Sequence, residues 1–161
     1  MRDELALLTP EGLEGVVATV TDNNPGMDEG TACRIVAEAL KFVDAAAQFP
    51  TVRIAPSKVV DEGWHALILH TKLYAMLCEG LGYFVHHYPE RPDPERYDEH
   101  VITRTMATIE QAGYAIDTEL WSAPTKTLVG VAAQCQHSGC SSGSGCGTVR
   151  PGNCATSGGD D

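Results

Sequence analysis

No stretch of this sequence approaches the roughly 18 consecutive apolar residues that a membrane-spanning helix requires. Basic residues are scarce as well, with 11 Lys and Arg against 22 Asp and Glu and a formal charge of -11. The acidic residues are spread through the chain rather than gathered in a block. Such a balance repels phosphate backbones and anionic lipid, so nucleic acid and membrane surfaces are poor partner candidates. Catalytic signatures are missing too: no phosphate-cradling glycine loop follows a strand, no Gly-x-Ser-x-Gly stands at a strand-to-helix elbow, and no HExxH helix is present. A ferritin-like di-iron centre needs two Glu-x-x-His repeats on separate helices, and only Glu62-Gly63-Trp64-His65 fits. The opening Met1-Arg2-Asp3-Glu4 carries both signs of charge and leads into no signal-peptide core, which points to a cytoplasmic address.

What is present reads as one helical domain with an appendage. A chain of 161 residues supports a single real core and is short for two. Thr9-Pro10-Glu11 combines a cap, a first-turn proline and an acidic first turn, and Leu13, Val16, Val17 and Val20 follow at helical spacing up to Asn23-Asn24-Pro25-Gly26. Asp28 or Thr31 opens a second helix with Ile35, Val36, Ala39, Leu40 and Val43 on one face, fading at Gln48-Phe49-Pro50. Cys33 belongs to it as a small packing residue. Ser57 caps a third helix that runs to about Glu79, with Gly80 and Gly82 as its stop. Asp93-Pro94-Glu95 starts a fourth, through Tyr97, Val101, Ile102, Met106 and Ile109 to Ala112, and Asp117 caps a short turn carrying Leu120 and Trp121. The fold class is therefore all-α, a small bundle of four main helices over residues 1–129. Residues 130–161, rich in Gly, Ser and Cys, hold almost nothing that fills a core and are expected to form a disordered tail.

The third helix poses the functional question. Residues 60–90 hold four of the six histidines inside the most apolar stretch, and core helices avoid ionisable groups without a partner or a task. Asp61 and Glu62 precede His65 by four and three residues, so both carboxylates flank one imidazole, and Leu69 and Met76 continue that face. His70 lies well round the helix, nearer Tyr74 and Leu77. His86 and His87 follow the helix stop, and a chain reversing at Gly80-Leu81-Gly82 lays them back along it. Asp61, Glu62, His65 and one of that pair would give a carboxylate and imidazole set suited to Zn, Fe or Mn. The plain alternative is histidine held by carboxylate to satisfy a core, with a solvated His-His loop. Cys78, thirteen residues after His65, stands about 20 Å along a straight axis and forms no nucleophile pair with it. Trp64 and Tyr74 read as packing residues.

The pattern Val60-Asp61-Glu62-x-Trp64-His65-Ala66-x-Ile68-x-His70-Thr71-x-x-Tyr74-x-x-x-Cys78, followed by Gly82-x-Phe84-x-His86-His87-x-Pro89, resembles the small actinobacterial glycine-rich domain-containing proteins. More distantly it is similar to plant glycine-rich domain proteins. The likeness covers mainly residues 30 to 125. It implies that Asp61, His65, His70, His86 and His87 act together, and a Cys/His tail such as Cys135-Gln136-His137 and Cys140; it implies no activity.

In the tail, Cys135, His137, Cys140 and Cys146 offer soft or borderline ligands that favour zinc or cuprous copper, without the spacing of a paired CxxC knuckle. The same cysteines also read as a thiol reserve, or with Ser142, Ser144, Thr148 and Thr156 as the substrate of thioether modification. The expectation is a small cytoplasmic protein binding a divalent metal, zinc first, through Asp61, His65, His70, His86, His87 and the tail ligands. If it is an enzyme, Glu62 serves as general base, and its partner is a small molecule or an unidentified protein. The other reading is a non-catalytic interaction module whose histidine-carboxylate pairs fix helix packing.

Overall fold

The computed structural model describes residues 2–88 and 98–122. Three helices begin where their capping chemistry requires. The Thr9 hydroxyl accepts from the Gly12 N–H at 3.1 Å, with Pro10 in the first position, and opens α1 (Pro10–Asn23). Asp28 takes the Thr31 N–H at 2.9 Å to open α2 (Glu29–Gln48). Ser57 takes the Val60 N–H at 3.2 Å to open α3 (Lys58–Leu69).

The long third helix of the sequence reading is two helices. His70, at φ -85° and ψ 66°, ends α3 and begins α4 (Thr71–Leu81). No glycine or proline marks this break. Its visible anchor is tertiary: His70 Nε2 lies 2.8 Å from Thr19 Oγ1 on α1, and the ring fits over Gly15, where an added Cβ would stand 3.4 Å from it. The straight-axis separation of His65 from Cys78 falls with the break; Cys78 packs beside Tyr74 within α4. α4 ends on Gly82 in the left-handed region at φ 76°, and the Tyr83 N–H returns to the Cys78 carbonyl at 3.2 Å.

The next helix, α5 (Val101–Gln111), starts later than expected. Asp93-Pro94-Glu95 lies outside the described residues, and residues 98–100 form a turn in which Asp98 accepts the His100 N–H at 3.0 Å. Gly113, at φ 97°, turns the chain toward α6 (Thr118–Ser122), where the Leu120 N–H bonds the Asp117 carbonyl at 3.0 Å. The molecule is all-α, with no strand among the described residues and five helices longer than ten residues in place of four. The Gly/Ser/Cys-rich segment 130–161 lies outside the described residues.

α2 is the central element, packed by α1, α3, α4 and α5. Ile35, Val36, Ala39, Leu40 and Val43 are fully buried on it, in one core with Val16 and Val20 of α1 and Val60 and Leu67 of α3. Cys33 is half-buried at its first turns. The α2–α3 approach is close at Gly63: a Cβ there would lie 2.8 Å from the Ile35 carbonyl oxygen and 2.9 Å from the Ala39 methyl. Glycine at this position lets the two backbones meet.

The same helix buries charge. Glu38, 1 % exposed, accepts from Lys41 Nζ at 2.6 Å, Trp121 Nε1 at 2.7 Å and the Asp117 N–H at 3.2 Å. Lys41 also donates to the Ala115 carbonyl at 2.9 Å. Asp44 accepts from Tyr114, Arg2 and Gln48. These bonds tie both the N-terminal segment and residues 114–121 to α2, and every oxygen of the two buried carboxylates has a donor, as burial demands.

Candidate metal centre

Asp61 and His65 sit four residues apart on one stripe of α3, and His87 reaches them from the segment that follows α4. His87 Nε2 lies 3.0 Å from Asp61 Oδ1, and His65 Nε2 lies 3.6 Å from Asp61 Oδ2. The two imidazole rings have centroids 4.5 Å apart at 45°. One ligand atom from each of Asp61, His65 and His87 falls within 4.8 Å of the others. The cluster is at the rim of the core rather than inside it, with side-chain exposures of 29 %, 47 % and 17 %. None of the four histidines of the apolar stretch is fully buried.

His87 is held by a clasp that the sequence did not disclose. Its ring packs on Trp64 at a centroid distance of 4.5 Å, and Trp64 packs on Phe42 of α2 at 4.9 Å. The Trp64 indole N–H donates to the Tyr74 hydroxyl at 2.9 Å, and that hydroxyl donates to the Val85 carbonyl at 2.5 Å. Burial pushes the Tyr74 phenol up, so it remains a neutral donor. Trp64 and Tyr74 are thus packing residues with a positioning consequence: they fix the chain at Val85, two residues before His87.

The remaining candidates lie elsewhere. Glu62, one residue from Asp61 and so about 100° round the helix, turns to α1 and accepts from the Asn24 side chain. Only one of the two carboxylates reaches His65. Burial, with the neighbouring Asp61 charge, raises the Glu62 carboxyl above its ordinary range, against the Asn24 bond. Asn24 is 2 % exposed; its Nδ2 donates to the Val20 carbonyl at 2.9 Å, and its Oδ1 has no partner among the described residues. His70 faces Thr19. His86 is exposed, between the rings of Phe84 at 4.7 Å and Tyr88 at 6.1 Å. Leu69, four residues after His65 on α3, and Met76, beyond the break on α4, are exposed and line an open groove of about 750 Å³ along α4. Cys135, His137, Cys140 and Cys146 lie outside the described residues.

The model of the UCP032817-like family matches residues 10–109. The chain belongs to that family. The match spans all three clustered residues and α1 through most of α5, and it carries no activity with it. Neither a curated protein nor a solved structure matches the chain.

Proposed function

We propose that this protein binds a divalent metal ion through Asp61, His65 and His87, with zinc the ion that the set fits best. The carrying observation is the convergence of two imidazoles and one carboxylate from two separate segments. Zinc bonds nitrogen and oxygen at about 2.0–2.1 Å, which puts tetrahedral ligands about 3.3 Å apart. The nitrogen-oxygen separations are 3.0 Å from His87 to Oδ1 and 3.6 Å from His65 to Oδ2, and one atom from each of the three residues falls within 4.8 Å of the others, a spread that small side-chain shifts bring to that value. Two histidines and one carboxylate also suit ferrous iron, with coordination positions left for water or another ligand. Three protein ligands on an accessible rim support binding more directly than a reaction, and none of them lines the groove along α4. No helix among the described residues is long and apolar enough to cross a membrane, and a cytoplasmic protein that holds its thiols reduced fits this reading.

A second reading has its own observation. The 3.0 Å contact between His87 and Asp61, backed by Trp64, satisfies both groups without an ion, as a device that fixes packing in a non-catalytic interaction module. Elemental analysis of the tag-free full chain separates the two. One zinc per chain, lost in His65→Ala and in Asp61→Asn while helicity is kept, is the expected result. A chain that takes up no zinc, iron or manganese under anaerobic conditions belongs to the second reading.

A further inference from the structure

The groove along α4 has two unlike ends. Its aliphatic body is formed by Leu7 and Leu8 of the N-terminal segment with Leu73, Met76, Leu77 and Leu81 of α4, and no Phe, Tyr or Trp lines it. Leu69 and Met76, 66 % and 62 % exposed, are the most exposed large aliphatic residues of the described chain, and both border this one groove. Its polar lining gathers where α4 begins. Thr71 and Lys72 open that helix, and Thr9 joins them there, since a Cβ added at Gly12 would meet both Thr9 Oγ1 and the Leu73 side chain. His70 Nε2 is committed to Thr19. Lys72 is exposed and has no ion-pair partner among the described residues. The chain holds 22 acidic residues, yet none lines the groove, and neither does any proposed metal ligand.

We propose that this groove binds a free fatty acid, with the carboxylate at Lys72 and the hydrocarbon chain laid along α4 between Met76 and the Leu7–Leu8 wall. A groove of about 750 Å³ has the size of a small-molecule site, and such sites are mostly apolar with a few polar groups that fix orientation. From Lys72 to Leu81 the helix rises about 14 Å, which suits a chain of medium length. Leucine and methionine walls adapt to a flexible methylene chain, whereas a docking helix is usually anchored by large side chains seated in pockets of a deeper groove. Charge selects the head group and its source. The unpartnered Lys72 ammonium complements a carboxylate, while the formal charge of -11 opposes approach to an anionic membrane surface. A single small anion in the groove is spared most of that repulsion, because charges more than about 8 Å away are screened at physiological ionic strength.

Isothermal titration of the delipidated full chain with decanoate tests the site. The expected result is saturable binding of one decanoate per chain. Octanoate, shorter by two methylenes, is expected to bind more weakly by about two- to fourfold for each one, fourfold being the value for full burial. Met76→Glu sets a carboxylate under the hydrocarbon chain and should weaken decanoate more than about tenfold; Met76 is exposed, so the fold is not at stake, and circular dichroism checks it. Lys72→Met keeps an apolar stem and removes the charge. It should weaken decanoate by about two- to fivefold, the range of an exposed ion pair, and leave the binding of uncharged decanol unchanged. Decanoate binding that is absent, or that is indifferent to Met76→Glu, overturns the inference. An equal effect of Lys72→Met on decanoate and decanol, or no effect on either, overturns the assigned head group. Sedimentation with vesicles of anionic phospholipid in the absence of decanoate binding gives the groove to a membrane surface, and self-association abolished by Met76→Glu in its absence gives it to a second copy of the chain; either result also overturns the inference.

Discussion

His87 Nε2 stands 3.0 Å from Asp61 Oδ1, across 26 positions of sequence, and this contact joins the segment after α4 to α3. Both groups are partly exposed, so the pair without metal contributes under about 1 kcal/mol. Metal changes the scale. Zinc at a hundredfold excess over its Kd stabilises the native state by about 2.7 kcal/mol, a rise in Tm on the order of 10 °C for a domain of this size. In Asp61→Asn, melting with a chelator is expected to match wild type within a few degrees, whereas the zinc-induced rise disappears. A zinc response retained by that variant would count against the carboxylate as a ligand.

Glu62 sets a pH dependence of its own. Its folded-state carboxyl is raised above the unfolded value, with burial the largest cause. The stability this contributes is present below the ordinary carboxylate range, about 4.3, and is lost as pH rises through the folded value. Glu62→Gln removes the titration and brings an amide donor toward Asn24, whose Oδ1 has no partner among the described residues. In metal-free protein the variant is expected to melt higher than wild type near pH 7, with the gap closing toward about pH 4. Equal gaps at both pH values would show that the fold does not raise the Glu62 carboxyl.

Buried charge on α2 makes a larger prediction. Lys41→Met leaves Glu38, 1 % exposed, without its cation while Trp121 and the Asp117 N–H still face it. Breaking a buried pair from one side costs about 3–5 kcal/mol. Urea unfolding of the full chain should show a loss of that size, and a loss below about 1 kcal/mol would mean that water reaches Glu38.

Legibility in the sequence followed the range of the forces. Thr9, Asp28 and Ser57 cap by bonds to residues three positions on, so the starts of α1, α2 and α3 were readable from local chemistry. The apolar face of α2 was readable too, since periodicity alone picks out Ile35, Val36, Ala39, Leu40 and Val43. The break at His70 was not, because its visible contact is with Thr19, fifty-one residues away. Asp61, His65 and His87 were legible as a group; His70, His86 and Glu62 could not be separated from them without knowing how α3 and α4 turn. Glu38 and Lys41, an i,i+3 pair set among apolar neighbours on α2, were the available signal for the buried network.

Gly63 tests how closely α3 must approach α2. Alanine is favoured over glycine in a helix by about 1 kcal/mol. Here the new Cβ would meet the Ile35 carbonyl oxygen at 2.8 Å, and a backbone atom inside a packed helix cannot step aside as a long side chain can. Overpacking costs about 1–3 kcal/mol, so Gly63→Ala is expected to destabilise despite its better propensity. A variant more stable than wild type in urea would show that α3 shifts freely.

Tyr74 separates positioning from contact, because its hydroxyl lies between Trp64 Nε1 and the Val85 carbonyl and touches no proposed ligand. Tyr74→Phe keeps the ring and strands both buried partners, at about 1–3 kcal/mol for each group left unsatisfied. A purely structural loss would lower Tm and leave zinc affinity per folded molecule unchanged. The clasp predicts more: Val85 loosens, His87 loses its fixed approach to Asp61, and zinc affinity falls by about 10–100-fold, as for outer groups that orient metal ligands. Isothermal titration at a temperature where the variant is fully folded reads the affinity, and Trp64 fluorescence reads the clasp. Unchanged affinity in the folded variant would show that α3 and the His87 segment hold their relation without Tyr74.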